Sequence, residues 1–124
     1  MTYLLDVSTL LSLIWASSSH HETAKRWRVG KKIALCPITE LGFLRVSTSP
    51  AFNATMEQSR KALADFIADE GAVFIPADIR ALDGKKAITS KTTTDWYLAN
   101  LAEKWGMKWA TLDSRANHSA AEVI

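Results

Sequence analysis

The sequence predicts an α/β fold: three layers, α/β/α, around a central, mostly parallel sheet. Two observations carry this. Short apolar runs at residues 3–6, 33–36, 72–75 and 108–112 have the length of buried strands. Helical stretches stand between them, and strands alternating with helices imply parallel neighbours joined by crossovers. The 124 residues suit one domain, 1–124, long enough to bury a real core.

The elements follow in order. The first strand ends abruptly in Asp6, and a helix over residues 10–16 follows, closed by the serines 17–19. A second helix starts at His20 and carries Ala24, Trp27 and Arg28, with Gly30, Lys31 and Lys32 at its end. After strand 33–36, Pro37 suits the first turn of a helix reaching Val46. Residues 47–50 are loop. Residues 56–70 are an amphipathic helix, Leu63, Phe66 and Ile67 inward, Asp65 and Asp69 outward. Gly71 ends it, and Pro76 stops strand 72–75. A short helix is expected at 78–82, then a polar stretch at 84–93. Residues 94–105 are the clearest helix, with Leu98, Leu101, Ala102 and Trp105 on one face. Strand 108–112 runs into Asp113, and a short helix and a last strand at 122–124 complete the chain.

Composition narrows the class. The chain is 48% hydrophobic and 23% charged, ordinary for a soluble globular domain. A net charge of +2 permits an anionic partner without announcing one. The single cysteine, Cys36, excludes an internal disulfide and fits a reducing compartment; it reads as a small buried hydrophobe. No N-terminal signal and no membrane-length apolar run are visible, so a cytoplasmic address without a membrane is expected.

Four acids share one kind of position. In open α/β sheets, ligands bind beyond the carboxyl ends of the strands. Asp6 and Asp113 end strands, Glu40 lies in the first turn after the second strand, and Asp95 opens the helix before the fourth. Asp95 reaches that edge only if residues 84–93 deliver it there. Glu40 shares a helical face with Phe43 and Leu44, and Asp95 with Leu98 and Ala102. Each acid alone reads as a cap or a dipole partner, and Thr92 with Asp95 has the spacing of a capping box. Together they read as one site. Four crowded carboxylates cannot all stay ionised unaided. A hard divalent cation held by oxygen ligands, Mg²⁺ or Mn²⁺, resolves this and supports phosphate chemistry.

These residues carry a family resemblance. LLDVSTL (4–10), HHETAKRW (20–27), CPITELGFLRV (36–46), Thr94-Asp95 and ATLD (110–113) resemble the PIN-domain ribonucleases, most closely the VapC-type toxins. The resemblance implies a metal-dependent endoribonuclease cutting single-stranded or loop RNA, often tRNA or rRNA. It implies Asp6, Glu40, Asp95 and Asp113 as catalytic acids and metal ligands, with Ser8 beside the first acid. It also implies a homodimer and a small antitoxin partner. Thr94 and Thr111 stand beside two of these acids as supporting residues. Two departures stand out: Ser114 and Asn117 where many relatives carry a further acid, and Trp96 where a small residue is frequent.

Two rivals remain. Asp6-Val7-Ser8-Thr9 faintly resembles the opening of haloacid-dehalogenase-like phosphatases, with Ser8 in place of their second Asp. A non-enzymatic PIN-like binding module is the other. His20, His21 and His118 fit no zinc spacing and read as solvated. Arg45 and Lys91 are candidate RNA contacts, and Trp15 and Trp27 candidate partner contacts. Trp96 could stack on a base or fill an interface.

Overall fold

The computed structural model describes residues 1–124. Strands β1 (Thr2–Leu5), β2 (Lys32–Leu35), β3 (Val73–Phe74), β4 (Lys108–Thr111) and β5 (Ala121–Val123) form one sheet. Its order is β3-β2-β1-β4-β5, and every neighbouring pair is parallel. Helices are α1 (Val7–Ile14), α2 (His21–Arg28), α3 (Pro37–Ser47), α4 (Met56–Glu70) and α5 (Thr93–Lys104), with a 3₁₀ turn at Ser90–Thr92.

Central β1 is buried on both faces because adjacent strand residues point to opposite sides. Leu5, Ile33, Leu35 and Ala110 face a core built with Leu10, Ala24, Phe43, Leu63 and Phe66 of α1 to α4. Leu4, Ala34, Cys36 and Trp109 face the other, covered by Leu98, Ala99, Leu101 and Ala102 of α5. The layers are therefore four helices, sheet, one helix. Cys36 is buried and free, as expected of a small hydrophobe. No helix is long and apolar enough to cross a membrane.

Local chemistry explains where boundaries differ from expectation. Helix α1 starts at Val7 rather than residue 10 because the Thr9 N–H donates to Asp6 Oδ1 at 2.7 Å. That bond satisfies an amide the helix start leaves free. No helix forms at 78–82: the Arg80 N–H donates to Asp83 Oδ2 at 2.7 Å and the chain turns instead. No helix follows Asp113 either. Its Oδ1 accepts the Arg115 N–H at 3.0 Å, a side-chain turn that leads the chain towards β5. Trp105 is not core. Helix α5 ends at Lys104, and Trp105 is 42% exposed, its Nε1 donating to Asp78 Oδ1 at 3.1 Å. Trp109, 2% exposed, fills the core instead.

One buried bond ties a helix start to the end of β1. The Thr39 hydroxyl donates to the Leu5 carbonyl at 2.9 Å. Thr39→Val keeps the shape and should cost about 1–3 kcal/mol by leaving that carbonyl short of a partner. Thr48→Val loses only a bond within its own helix end and should cost less than about 0.5 kcal/mol. Urea unfolding of both variants checks this; equal losses would show that the strand–helix bond contributes nothing of its own.

Candidate metal centre and active site

The sheet's carboxyl edge builds the site. The Asp6 N–H donates to the Ala110 carbonyl at 3.2 Å, which sets Asp6 beside the end of β4. The Thr9 hydroxyl donates to the same carbonyl at 3.3 Å. Asp113 lies two residues past β4, its N–H donating to Thr111 Oγ1 at 3.0 Å. Direction alone accounts for Asp95. Only residues 105–107 separate α5 from β4, so α5 runs back against the strand and opens at the carboxyl edge. No special path through 84–93 is needed. Asp6, Asp95 and Asp113 line one cavity of about 400 Å³, with Ser8 and Thr111 on its wall. Strand order changes direction at this point of an α/β sheet, where ligands bind.

The electrostatics match three acids in one place. Burial pushes the Asp6 carboxyl up from its ordinary value. Hydrogen bonds from Thr9 and Thr111 hold it down, and Asp113 adds to the rise. Asp95 is pushed up to about 6, first by burial, then by the charges of Asp6 and Asp113. Asp95 has no capping duty. The Thr92 side chain caps nothing and turns to the Thr89 carbonyl at 3.1 Å. Asp6 has both roles: it caps α1 and lines the cavity. Each carboxylate brings two hard oxygens, the donor set that suits Mg²⁺ or Mn²⁺. No three acidic, histidine or cysteine side chains meet at ligation distance here.

The expected fourth acid stands elsewhere. Glu40 lines a groove between α3 and α4 with Leu44, Arg60, Leu63 and Ile67. The reason is local. Thr39 takes the inward position of the first turn through its bond to Leu5, and Glu40, next along the helix, is rotated towards α4. Burial alone raises its carboxyl; no other acid contributes. Four acids on one edge thus become three in one cavity.

Other expected residues divide similarly. Lys91 lines a groove adjoining the cavity, whereas Arg45, in the last turn of α3, lines neither. Thr94 is exposed in the first turn of α5 and lines neither. Trp15 and Trp27 are half-buried against the core rather than free on the surface. Trp15 stacks on Phe43 at 5.9 Å, its Nε1 donating to Ser47 Oγ at 2.8 Å, and Trp27 meets Tyr3 edge-on. The histidines are not uniformly solvated. His118 is 5% exposed, His21 Nδ1 donates to the Ser12 carbonyl at 2.8 Å, and exposed His20 lines the cavity. Ser12 also lines it and was missed in the sequence. Its position one turn beyond Ser8 on α1 was the available signal.

No family model matches the chain. Ribonuclease VapC38 of Mycobacterium tuberculosis is 32% identical over 119 residues, spanning 90% of this chain and 84% of that protein. The chain belongs to the VapC ribonuclease family. Ribonuclease VapC39 of the same organism is 31% identical over 132 residues, spanning 98% of this chain and 95% of that VapC protein. The fold is shared with VapBC2 from Rickettsia felis bound to a promoter DNA fragment. There the TM-score is 0.64 at 16% identity, over 100% of this chain and 98% of that chain. DNA-bound VapBC from Salmonella typhimurium gives 0.65 at 14% identity, over 100% and 97%.

The raised Asp95 carboxyl makes a signed prediction for the metal-free protein. Between its ordinary value of 3.8 and about 6, the folded state keeps a proton that the unfolded state has lost, so this residue costs stability as pH rises through that window. Asp95→Asn removes the cost. In EDTA the variant should melt above the parent at about pH 7.5, and the difference should vanish near pH 4. A difference independent of pH would remove the repulsion from the account.

Proposed function

We propose that this chain is a divalent-metal-dependent endoribonuclease, the toxin of a toxin–antitoxin pair. The observation that carries the metal chemistry is the set of three aspartates, from the ends of β1 and β4 and the start of α5, lining one cavity. The family carries the substrate: its members named above are ribonucleases. Asp6, Asp95 and Asp113 would hold Mg²⁺ or Mn²⁺. Bound there, the ion supplies a more acidic water and positive charge for a phosphodiester in transit. The chain's own residues set the geometry. Asp6 is held in orientation by the Thr9 N–H, which donates to its Oδ1 at 2.7 Å. Thr111 holds the turn that follows β4, its hydroxyl accepting the Asp113 N–H at 3.0 Å, and lowers the pKa of the Asp6 carboxyl beside it. Ser8, exposed at the cavity wall, offers a hydroxyl to a ribose or phosphate. Glu40, expected here from its place after the second strand and from the resemblance, does not line this cavity.

The substrate class we propose is single-stranded or loop RNA, in tRNA or rRNA. We also propose a homodimer in the cytoplasm, with an antitoxin seated over the early helices. In support, the fold is that of chains solved in VapBC assemblies. Trp15, at the end of α1, lines a shallow groove with Phe52 and the α4 residues Gln58, Lys61 and Asp65. Nothing in the structure favours the phosphatase: Ser8 stands where its second aspartate is required.

The purified chain, freed of partners, should cut RNA internally with Mg²⁺ or Mn²⁺, leave 5′-phosphates and stop in EDTA. Cleavage unchanged by EDTA, or cyclic 2′,3′-phosphate ends, would defeat the metal mechanism. Metal binding is read separately by melting. At tenfold excess over its dissociation constant, Mg²⁺ should stabilise the parent by roughly 1.4 kcal/mol. Asp6→Asn should lose most of that gain and cleavage with it, while Glu40→Gln should keep the gain. Loss of the gain in Glu40→Gln would return Glu40 to the metal.

A further inference from the structure

Asp95 and Asp113 border two depressions at once. On one side is the cavity described above, whose wall carries no Lys or Arg. On the other is a groove of about 410 Å³ whose lining includes Thr89, Lys91, Trp96, Arg115 and Asn117. We propose that this groove holds the nucleotide flanking the phosphate that is cut, with Lys91 and Arg115 at its phosphate and Trp96 against its base. The assignment rests on the ribonuclease reading above and adds where the strand lies.

Charge is the first argument. RNA laid over three aspartates meets charge of its own sign, and cations at the groove offset that on one side only. Lys91 joins none of the five ion pairs. Arg115 reaches only its neighbour Asp113, at 3.8 Å, with its side chain 93% exposed. Both cations are therefore available to a phosphate, and contacts of this kind position a strand without reading its sequence.

The aromatic wall is the second argument, independent of the first. Trp96 is half-buried and lines the groove. His118 meets it edge-on, ring centres 5.0 Å apart. That histidine is itself locked. Its Nδ1 accepts the Ala120 N–H at 3.0 Å, so the neutral ring carries its proton on Nε2 and donates to Asn100 Oδ1 at 2.8 Å. Asn100 in turn accepts the Lys85 N–H at 3.1 Å and donates to the Lys85 carbonyl at 2.7 Å. The indole is thus oriented before any ligand arrives. A base that stacks on a fixed ring orders little else, which is how aromatic platforms bind single strands. His118 and Asn100 are positioning residues in this arrangement.

The test uses the full chain with a labelled uridylate decamer in EDTA for binding, and a random-sequence RNA pool with Mg²⁺ for cleavage. Trp96→Ala should weaken binding about tenfold or more and alter base preference at the position flanking the cut; Trp96→Phe should retain most of both. Lys91→Ala and Arg115→Ala should weaken binding to all sequences alike. Each should reduce the dependence of log K on log salt by about 0.7. Melting curves confirm that the variants fold. If the parent cleaves RNA and Trp96→Ala, Lys91→Ala and Arg115→Ala match it in affinity, salt slope and base preference, the groove assignment falls alone. A parent that neither binds nor cuts RNA overturns the ribonuclease reading with it.

Discussion

A carboxylate buried at the end of a central strand is tolerable only when hydrogen-bonded, and the bonds around Asp6 hold the molecule's working edge together. Its carboxylate takes the Thr9 N–H, one of the amides that α1 leaves free at its start. Its own N–H reaches β4 through the Ala110 carbonyl, which also accepts the Thr9 hydroxyl. One residue back, the Leu5 carbonyl receives the Thr39 hydroxyl from α3. Two strand ends and two helix starts therefore meet within a few residues. Capping and catalysis are often alternative explanations for an acid in this position. Here the cap orients the carboxylate, and the cavity is what the oriented carboxylate faces.

The surrounding charge follows from that placement. Asp95 lies close to Asp6 and Asp113, and their charges together with its burial push its carboxyl up to about 6, although it caps nothing. A group held at an unfavourable charge without a structural duty is characteristic of functional sites. Stability is given up at this edge and supplied elsewhere by the two cores, where Leu4 and Leu5 are buried back to back on β1. The sheet separates the tasks: its interior supplies stability, and its carboxyl edge concentrates charge.

The edge is also asymmetric. Serines, His20 and Phe52 lie on one side of the acids; Lys91, Arg115 and Trp96 lie on the other. The asymmetry comes from topology. The first side is built from α1, the link to α2 and the turn after α3, the second from the 3₁₀ turn, the start of α5 and the turn after β4. A polymeric anion crossing the acids meets different chemistry before and after them, so its direction is constrained as well as its position.

What the sequence determined by itself is what depends on neighbours in the chain. Apolar runs and helical periodicity placed the strands, gave α4 its bounds at Met56–Glu70 and implied the parallel order. The ends of the runs placed Asp6 and Asp113 on the carboxyl edge, and the ordered motifs placed the family. Tertiary structure decided the rest, because it depends on which groups compete for one space. Thr39 reaching Leu5 left Glu40 to face α4. Asp83 closing on Arg80 cancelled a helix at 78–82. The end of α5 at Lys104 released Trp105 to the surface and left the core to Trp109. His118 was buried by bonds to Asn100 and Ala120 that no spacing rule encodes. Periodicity tells a residue's face on its own element; only packing tells what that face meets.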